Sequence, residues 1–304
     1  MRRWIVYQRE RFPLVAHAPL IAAFSISAVC YSSLLRGRVA LPPAGALLVA
    51  FGTALLFFLQ LRIADEFKDV EDDARYRPYR PVPRGLVSLR ELAWLGAGAA
   101  VVQLALALWF EPALVRFLLL AWVYLALMTR EFFAAAWLKA RPIAYMASHM
   151  IILPLIDLYA TACDWWPAGL RRPPAGIGWF LAVSYCNGMV VEIGRKIRAP
   201  HDEETGVETY SALWGAERAA MAWAGAVAGT ALCAWQAAEA IGTGRAMAVF
   251  LSTAVAACAA AAIAYARQPT TRSARVVEHM AGVWTLLMYL SLGAVPLVLA
   301  AWRE

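Results

Sequence analysis

The sequence predicts an all-α polytopic membrane protein: nine transmembrane helices, the N-terminus cytoplasmic and the C-terminus outside. Three observations predict it. The first is composition. The 304 residues are 62% hydrophobic and 16% charged, with a mean hydropathy of +0.58. Soluble domains run at about 45–50% apolar and about 25% charged. The gap excludes disorder and an ordinary soluble enzyme. The second is the set of runs lacking Asp, Glu, Lys and Arg: 12–35, 39–61, 92–110, 117–129, 142–156, 173–191, 219–238, 246–266 and 279–302. The third is charge asymmetry. With the N-terminus inside, cytoplasmic segments hold 21 of the 28 Lys and Arg residues. That is the positive-inside pattern, so the net charge of +7 points to a bilayer and not to nucleic acid.

Each element follows in order. The opening MRRWIVYQRERF resembles a signal n-region, but no A-x-A cleavage site follows it, so 12–35 is expected to stay as the first helix. Run 39–61 is the second span. The charged stretch 62–90 comes next and stays cytoplasmic. Runs 92–110, 117–129 and 142–156 make spans three to five; the latter two are short and extend past Arg116 and Asp157. Asp157 and Asp164 are expected toward the outer face. Run 173–191 is the sixth span and leads into a second charged loop, 192–218. Runs 219–238, 246–266 and 279–302 complete the bundle. Seven of the nine runs reach 19 residues, enough to cross about 30 Å of hydrocarbon. Only helices satisfy their own backbone there. The chain reads as one membrane domain, 1–304, with pseudo-repeat halves at about 12–134 and 142–267 and a ninth helix at 278–302. Five cysteines without a CxxC pair give no disulfide framework and no zinc site.

The two long loops carry the chemistry. Stretch 65–73 holds six of the 21 acids, and 192–208 holds five more. Asp65, Asp69 and Asp73 stand at i, i+4 and i+8, one face of a helix, with Glu66 beside them. Like charges at that spacing repel. A divalent cation reverses the sign, and Mg²⁺ is commonly held by one or two carboxylates plus phosphate oxygens. Arg75, Arg77, Arg80 and Arg84 follow, with Pro78, Pro81 and Pro83 stiffening the loop. Carboxylates for a metal beside guanidinium groups for an anion suggest a metal–diphosphate site. The second loop again interleaves acids and bases: Glu192, Arg195, Lys196 and Arg198, then Asp202, Glu203 and Glu204, then Gly206, Thr209 and Gly215.

These residues resemble the UbiA superfamily of intramembrane prenyltransferases. The family's first motif, N-D-x-x-D-x-x-x-D followed by R-P-x-R-P, is matched by Asp65-Glu66-x-x-Asp69-x-x-x-Asp73 and Arg77-Pro78-Tyr79-Arg80-Pro81. Its second, D-x-x-x-D-x-x-x-G-x-x-T-x-x-x-x-x-G, is matched at Asp202, Gly206, Thr209 and Gly215, with Arg198 at the earlier aspartate. The resemblance implies a nine-helix bundle with the motifs at the cytoplasmic ends of helices 2 and 6. It implies Mg²⁺, two ions in the family's usual arrangement, and transfer of a prenyl group from a prenyl diphosphate to a small-molecule or lipid acceptor. It places the active site on the cytoplasmic face of a bacterial-type inner membrane.

On that reading Asp65, Glu66, Asp69, Asp73, Glu192 and Asp202 ligate metal. Arg62, Lys68, Arg77, Arg80, Lys196 and Arg198 bind diphosphate. Asp69, Asp73 and Lys196 are the catalytic residues. Arg198 departs from the motif, and Glu192 is the candidate for the missing carboxylate. Helices 4–6 are rich in aromatics, among them Trp122, Tyr124, Tyr145 and Tyr185, which suit an apolar channel and a π-face for an allylic cation. Asn187, Tyr124, Arg130, His149 and Tyr185 are the candidate pocket residues. The alternative within the same chemistry is a terpene cyclase without an acceptor. An ion-coupled transporter is a third reading, disfavoured because the acids cluster at one membrane face. The D-G-x-x-A-R core of a CDP-alcohol phosphotransferase is absent.

Overall fold

The computed structural model describes residues 2–302, which form helices and connecting turns without a strand. A short α1 (Arg2–Arg11) precedes the bundle. The long helices are α2 (Leu14–Leu35), α3 (Ala44–Lys68), α5 (Leu89–Phe110), α6 (Val115–Thr129), α10 (Ile177–Arg195), α12 (Ala216–Ala240), α13 (Gly244–Arg267) and α14 (Thr271–Leu292). Shorter pieces sit between them: α4 (Val70–Tyr76), α7 (Ala135–Lys139), α8 (Pro142–Met150), α9 (Ile152–Trp165), α11 (Tyr210–Trp214) and α15 (Ala294–Ala301).

Helix ends follow local chemistry. Pro42 and Pro43 delay α3, which then runs seven residues past the apolar stretch, through Arg62 to Lys68. Ser88 and Glu91 start α5 with a reciprocal capping box. The expected fifth span is longer than its apolar run: α8 and α9 follow each other with a break at Ile151 and reach Trp165. The ninth breaks at Gly293 into α14 and α15.

Eight spans among the described residues are long and apolar enough to cross a membrane. The helix expected as the seventh span, α12, falls outside that set: it is 25 residues long but built largely of Ala and Gly, with two Trp and a Gln. Large apolar side chains stand outward on the spans, as in Trp94, Val101, Trp109 and Val249. A soluble bundle would not expose such a band, whereas lipid covers it without cost. The chain is an integral membrane protein.

Helices α2, α9, α10 and α14 form a closed ring, each packing on the next. Helices α3, α5 and α6 flank it on one side, and α12 and α13 on the other. Phe24, Tyr31, Phe180 and Tyr289 stack through the ring's interior. Asp157 and Asp164 are buried there, on the half of the fifth span remote from the charged loops. Asp164 accepts from Ser32 at 2.7 Å and pairs with Arg36 at 3.2 Å, which fastens the end of α2 to α9. Asp157 lies beside Ser184 and Tyr289, whose hydroxyls bond at 3.2 Å.

The ring is tight at Gly293. A Cβ there would overlap the backbone of Ser27 on α2, which cannot rotate away. Membrane helices use small residues for this approach. Gly293→Ala is expected to destabilise the bundle by about 2 kcal/mol, the usual cost of overpacking. The check is a lower thermal-unfolding midpoint in detergent.

Candidate active site

The first charged loop begins where α3 leaves the apolar layer. The helix kinks at Asp69 (φ −91°, ψ 7°), but the amide ladder continues. Asp69 N–H donates to Asp65 O at 2.9 Å, and Asp73 N–H to Asp69 O at 2.7 Å. The four acids then take different partners. Glu66 is buried, and Arg11 and Arg62 hold it. Position 66 lies about 100° around the helix from position 65, so Glu66 turns toward α1 and away from Asp65. Asp73 is buried as well, inside an arginine cage. Arg77 donates to it at 2.9 Å and Arg80 at 2.8 and 2.7 Å. The R-P-x-R-P turn folds those two guanidinium groups back onto Asp73. Both guanidinium groups, expected to bind diphosphate, are engaged by that carboxylate.

Asp65 and Asp69 remain available. Asp65 keeps nearly half its side chain exposed and meets Arg62 at 3.3 Å. Asp69 has no donor on its carboxylate among the described residues. Burial, then the charges of Asp65 and Asp73, push its carboxyl above the ordinary aspartate range. That is the electrostatic condition a cation relieves.

The second loop is fastened to itself. Glu192 is buried and accepts from Arg195 at 2.7 Å and from Lys196 at 2.9 Å. Arg198 was expected to face phosphate. Its guanidinium instead bonds Glu204 at 2.8 Å, and its amide donates to Ser211 Oγ at 2.9 Å. Glu203 accepts from Thr209 at 2.6 Å and Ser211 at 2.8 Å. Asp202 sits in a short turn with His201 at 3.6 Å.

The loops touch. Gly206 has φ +78°, and a Cβ there would press into the Tyr76 ring of the first loop. Gly206→Ala therefore meets both the left-handed backbone penalty and that ring. The expected result is a weaker affinity for metal-bound diphosphate, by about tenfold, with helix content unchanged. Titration of inorganic diphosphate in Mn²⁺ reads it. Tyr210 brings the second loop to the same centre. The Lys196 ammonium lies 5.6 Å from its ring. Burial, then the Glu192 charge, raises its hydroxyl pKa, and Tyr145 lies within the same electrostatic reach.

The centre itself is Lys68. Its ammonium donates to Tyr145 Oη at 2.8 Å, meets His149 Nε2 at 3.0 Å, and pairs with Glu131 at 2.7 Å. Tyr145 and His149 stack at 3.9 Å. They lie one turn apart on α8, which places both rings on one face. Phe132 meets His149 edge-on at 5.8 Å, and Tyr124 meets Phe132 at 5.4 Å. Tyr124 and Tyr185 donate to the carbonyls of Ser148 and Ala147 at 2.6 and 3.2 Å, bracing the end of α8 where its own ladder stops. Asn187 is buried, and its amide has no hydrogen-bond partner among the described residues. Arg130 is exposed at the start of the turn that carries Glu131.

Sequence reasoning missed Arg11 and Glu131 as parts of the site, and named Tyr145 only as a channel aromatic and not as a partner of Lys68. The Tyr145/His149 spacing was a usable signal, as was a lone acid closing the fourth span.

No three acidic, histidine or cysteine side chains gather into a ready metal cluster among the described residues. Asp65 and Asp69 fit one Mg²⁺, which takes one or two carboxylates and completes its shell with waters and phosphate oxygens. The second loop does not fit another, because Glu192 is doubly paired and Arg198 stands at the earlier aspartate of its motif.

The profile of the UbiA prenyltransferase family matches residues 25–286. Among solved structures, a UbiA homologue from Aeropyrum pernix K1 is similar at a TM-score of 0.65 and 15% identity, covering 91% of this chain and 98% of that one. A structure reported for digeranylgeranylglyceryl phosphate synthase is similar at a TM-score of 0.63 and 14% identity, covering 97% of this chain and all of that one. No curated protein matches significantly.

Proposed function

The chain belongs to the UbiA prenyltransferase family, and from that premise we propose that it transfers a prenyl group from a prenyl diphosphate to a lipid-soluble acceptor, with Mg²⁺, at the cytoplasmic face of an inner membrane. The observation that carries this reading is the meeting of the two charged loops. The Asp69 carboxylate has no donor among the described residues, Asp65 meets Arg62 at 3.3 Å, and Gly206 of the second loop stands against Tyr76 of the first. Tyr145, His149, Phe132 and Tyr124 continue from the Lys68 centre as a chain of ring contacts.

The chemistry divides among these residues. Asp65 and Asp69 would hold the Mg²⁺, which when bound would offset the negative charge on the leaving diphosphate. Lys68 presents a fixed ammonium to the same oxygens. Lys196 and Arg195 keep Glu192 neutralised, so this carboxylate does not repel the donor. The carbon–oxygen bond breaks heterolytically, and diphosphate keeps the electron pair. Tyr145, Phe132 and Tyr124 present π-faces to the allylic cation and exclude water. The acceptor supplies the electron pair for the new bond and releases a proton.

The test uses purified chain in detergent with Mg²⁺ and radiolabelled prenyl diphosphates of several lengths, with and without an extract of membrane lipids. A labelled lipid adduct with released diphosphate, lost on chelation, is the expected result. A free hydrocarbon or alcohol formed without the extract replaces transfer with cyclisation. No diphosphate release at any length overturns the reading.

A further inference from the structure

We infer that the Lys68 ammonium takes the place of a second metal ion at the diphosphate, and that the Glu131 carboxylate is its resting counter-ion, displaced when the donor binds. The inference rests on the prenyl diphosphate reading above and says how this site meets the donor's charge.

An ammonium has three donors, and those of Lys68 are all engaged, by Tyr145, His149 and Glu131. The Lys68 side chain is 9% exposed, so no solvent competes for it. Its partners differ in charge. His149 Nδ1 lies 2.8 Å from the Tyr145 carbonyl, which only accepts, so Nδ1 carries the proton. Nε2 then offers a lone pair to Lys68, and the imidazole is neutral. Tyr145 is a neutral phenol. These two orient the ammonium without cancelling its charge. Glu131 alone cancels it.

Glu131 is also the partner built to leave. It is presented by a turn in which Glu131, Phe132 and Phe133 have φ of 50°, 52° and 58°. Three consecutive L-residues in the left-handed region each bring Cβ against the following carbonyl. The ion pair with Lys68 anchors that turn. Exchanging the carboxylate for a diphosphate oxygen preserves the charge-assisted bond and frees the turn to relax. The carboxylate is 21% exposed and therefore reachable from the loop side.

The other half of the argument is the second loop, where a further metal would need carboxylates. Glu192 is held by two bases, Arg198 by Glu204, and Asp202 lies against His201. One divalent ion on Asp65 and Asp69, with the fixed charge of Lys68 beside Asp69, is the arrangement these side chains would allow.

The test binds Mn²⁺ and inorganic diphosphate to the full chain in detergent, counting Mn²⁺ by electron paramagnetic resonance and diphosphate by calorimetry. The native chain is expected to hold one Mn²⁺ in the presence of diphosphate. Glu131→Gln keeps the shape of the side chain and removes its charge. It is expected to tighten diphosphate binding about tenfold without changing the Mn²⁺ count. Lys68→Met is expected to weaken it by about tenfold or more, and Lys68→Arg to retain most of it. Two Mn²⁺ per chain, or diphosphate affinity unchanged or weakened by Glu131→Gln, overturns the inference and leaves the transferase reading standing. No Mn²⁺-dependent diphosphate binding to the native chain overturns both. Should Lys68→Met fail to fold, the metal count and Glu131→Gln still decide.

Discussion

Asp69→Asn is expected to lower the rate of diphosphate release by roughly a thousandfold, about 4 kcal/mol of transition-state stabilisation. Of the four acids in the first motif, Asp69 is the one whose carboxylate has no basic partner. Glu66 answers to Arg11 and Arg62, Asp73 to Arg77 and Arg80, and Asp65 to Arg62. A structural carboxylate in this setting would be paired. An unpaired one, half-buried between Asp65 and Asp73, is costly until a cation arrives. Asparagine keeps the volume and removes the charge, so the variant separates the two roles. Single-turnover release should collapse. The thermal midpoint without Mg²⁺ should stay or rise, because a like-charge contact has been relieved. Asp72, exposed on the same short helix, is the control, and Asp72→Asn should leave both readouts unchanged. A loss of midpoint in Asp69→Asn, with release intact, would assign Asp69 to the scaffold.

The two acidic loops and their places at the ends of spans two and six were legible because hydropathy and charge are local properties. The prolines that follow Asp73 marked the loop for the same reason. What periodicity could not deliver was the partner of each side chain. The i, i+4, i+8 stripe gave the face of α3, yet Arg11, 55 positions before Glu66, decides which of the acids stays free. Lys68 looked like a neighbour of acids within its own motif. Its partners come from the turn after α6 and from α8, and no local pattern links those segments. The break at Gly293 was equally silent, because a glycine in an apolar run carries no sign of which backbone it will meet. The burial of Asp157 and Asp164 was not legible, because an acid late in a short run reads as an end of a span. Here α9 continues through both and buries them against α2 and α10.

Arg11→Met is expected to destabilise the chain by about 3 kcal/mol, because it strands a buried carboxylate. Arg11 and Glu66 are 9% and 1% exposed, and their pair is the innermost link between α1 and α3. Around it α1 is held by Arg3 to Glu91, by Glu10 to Arg84 and by the burial of Tyr7. Burial and the charge of Glu66 keep the Tyr7 phenol protonated, so it does not add a second anion to the pocket. Deleting the guanidinium leaves Glu66 with Arg62 at 3.7 Å. The partner change decides what Glu66 is for. As a counter-ion, Glu66 loses its reason to be charged once Arg11 is gone, so Arg11→Met with Glu66→Gln should recover much of the midpoint lost by Arg11→Met alone. As a metal ligand, it would show the reverse: Glu66→Gln alone would leave the midpoint in place and abolish Mn²⁺ binding, and the double variant would recover nothing. The buried geometry favours the first outcome. A carboxylate turned 100° from Asp65 and closed in by two arginines faces α1, so the acidity that makes the motif conspicuous serves two ends: in the proposed transferase Asp65 and Asp69 meet the donor, while Glu66 and Asp73 hold the loop in shape around them.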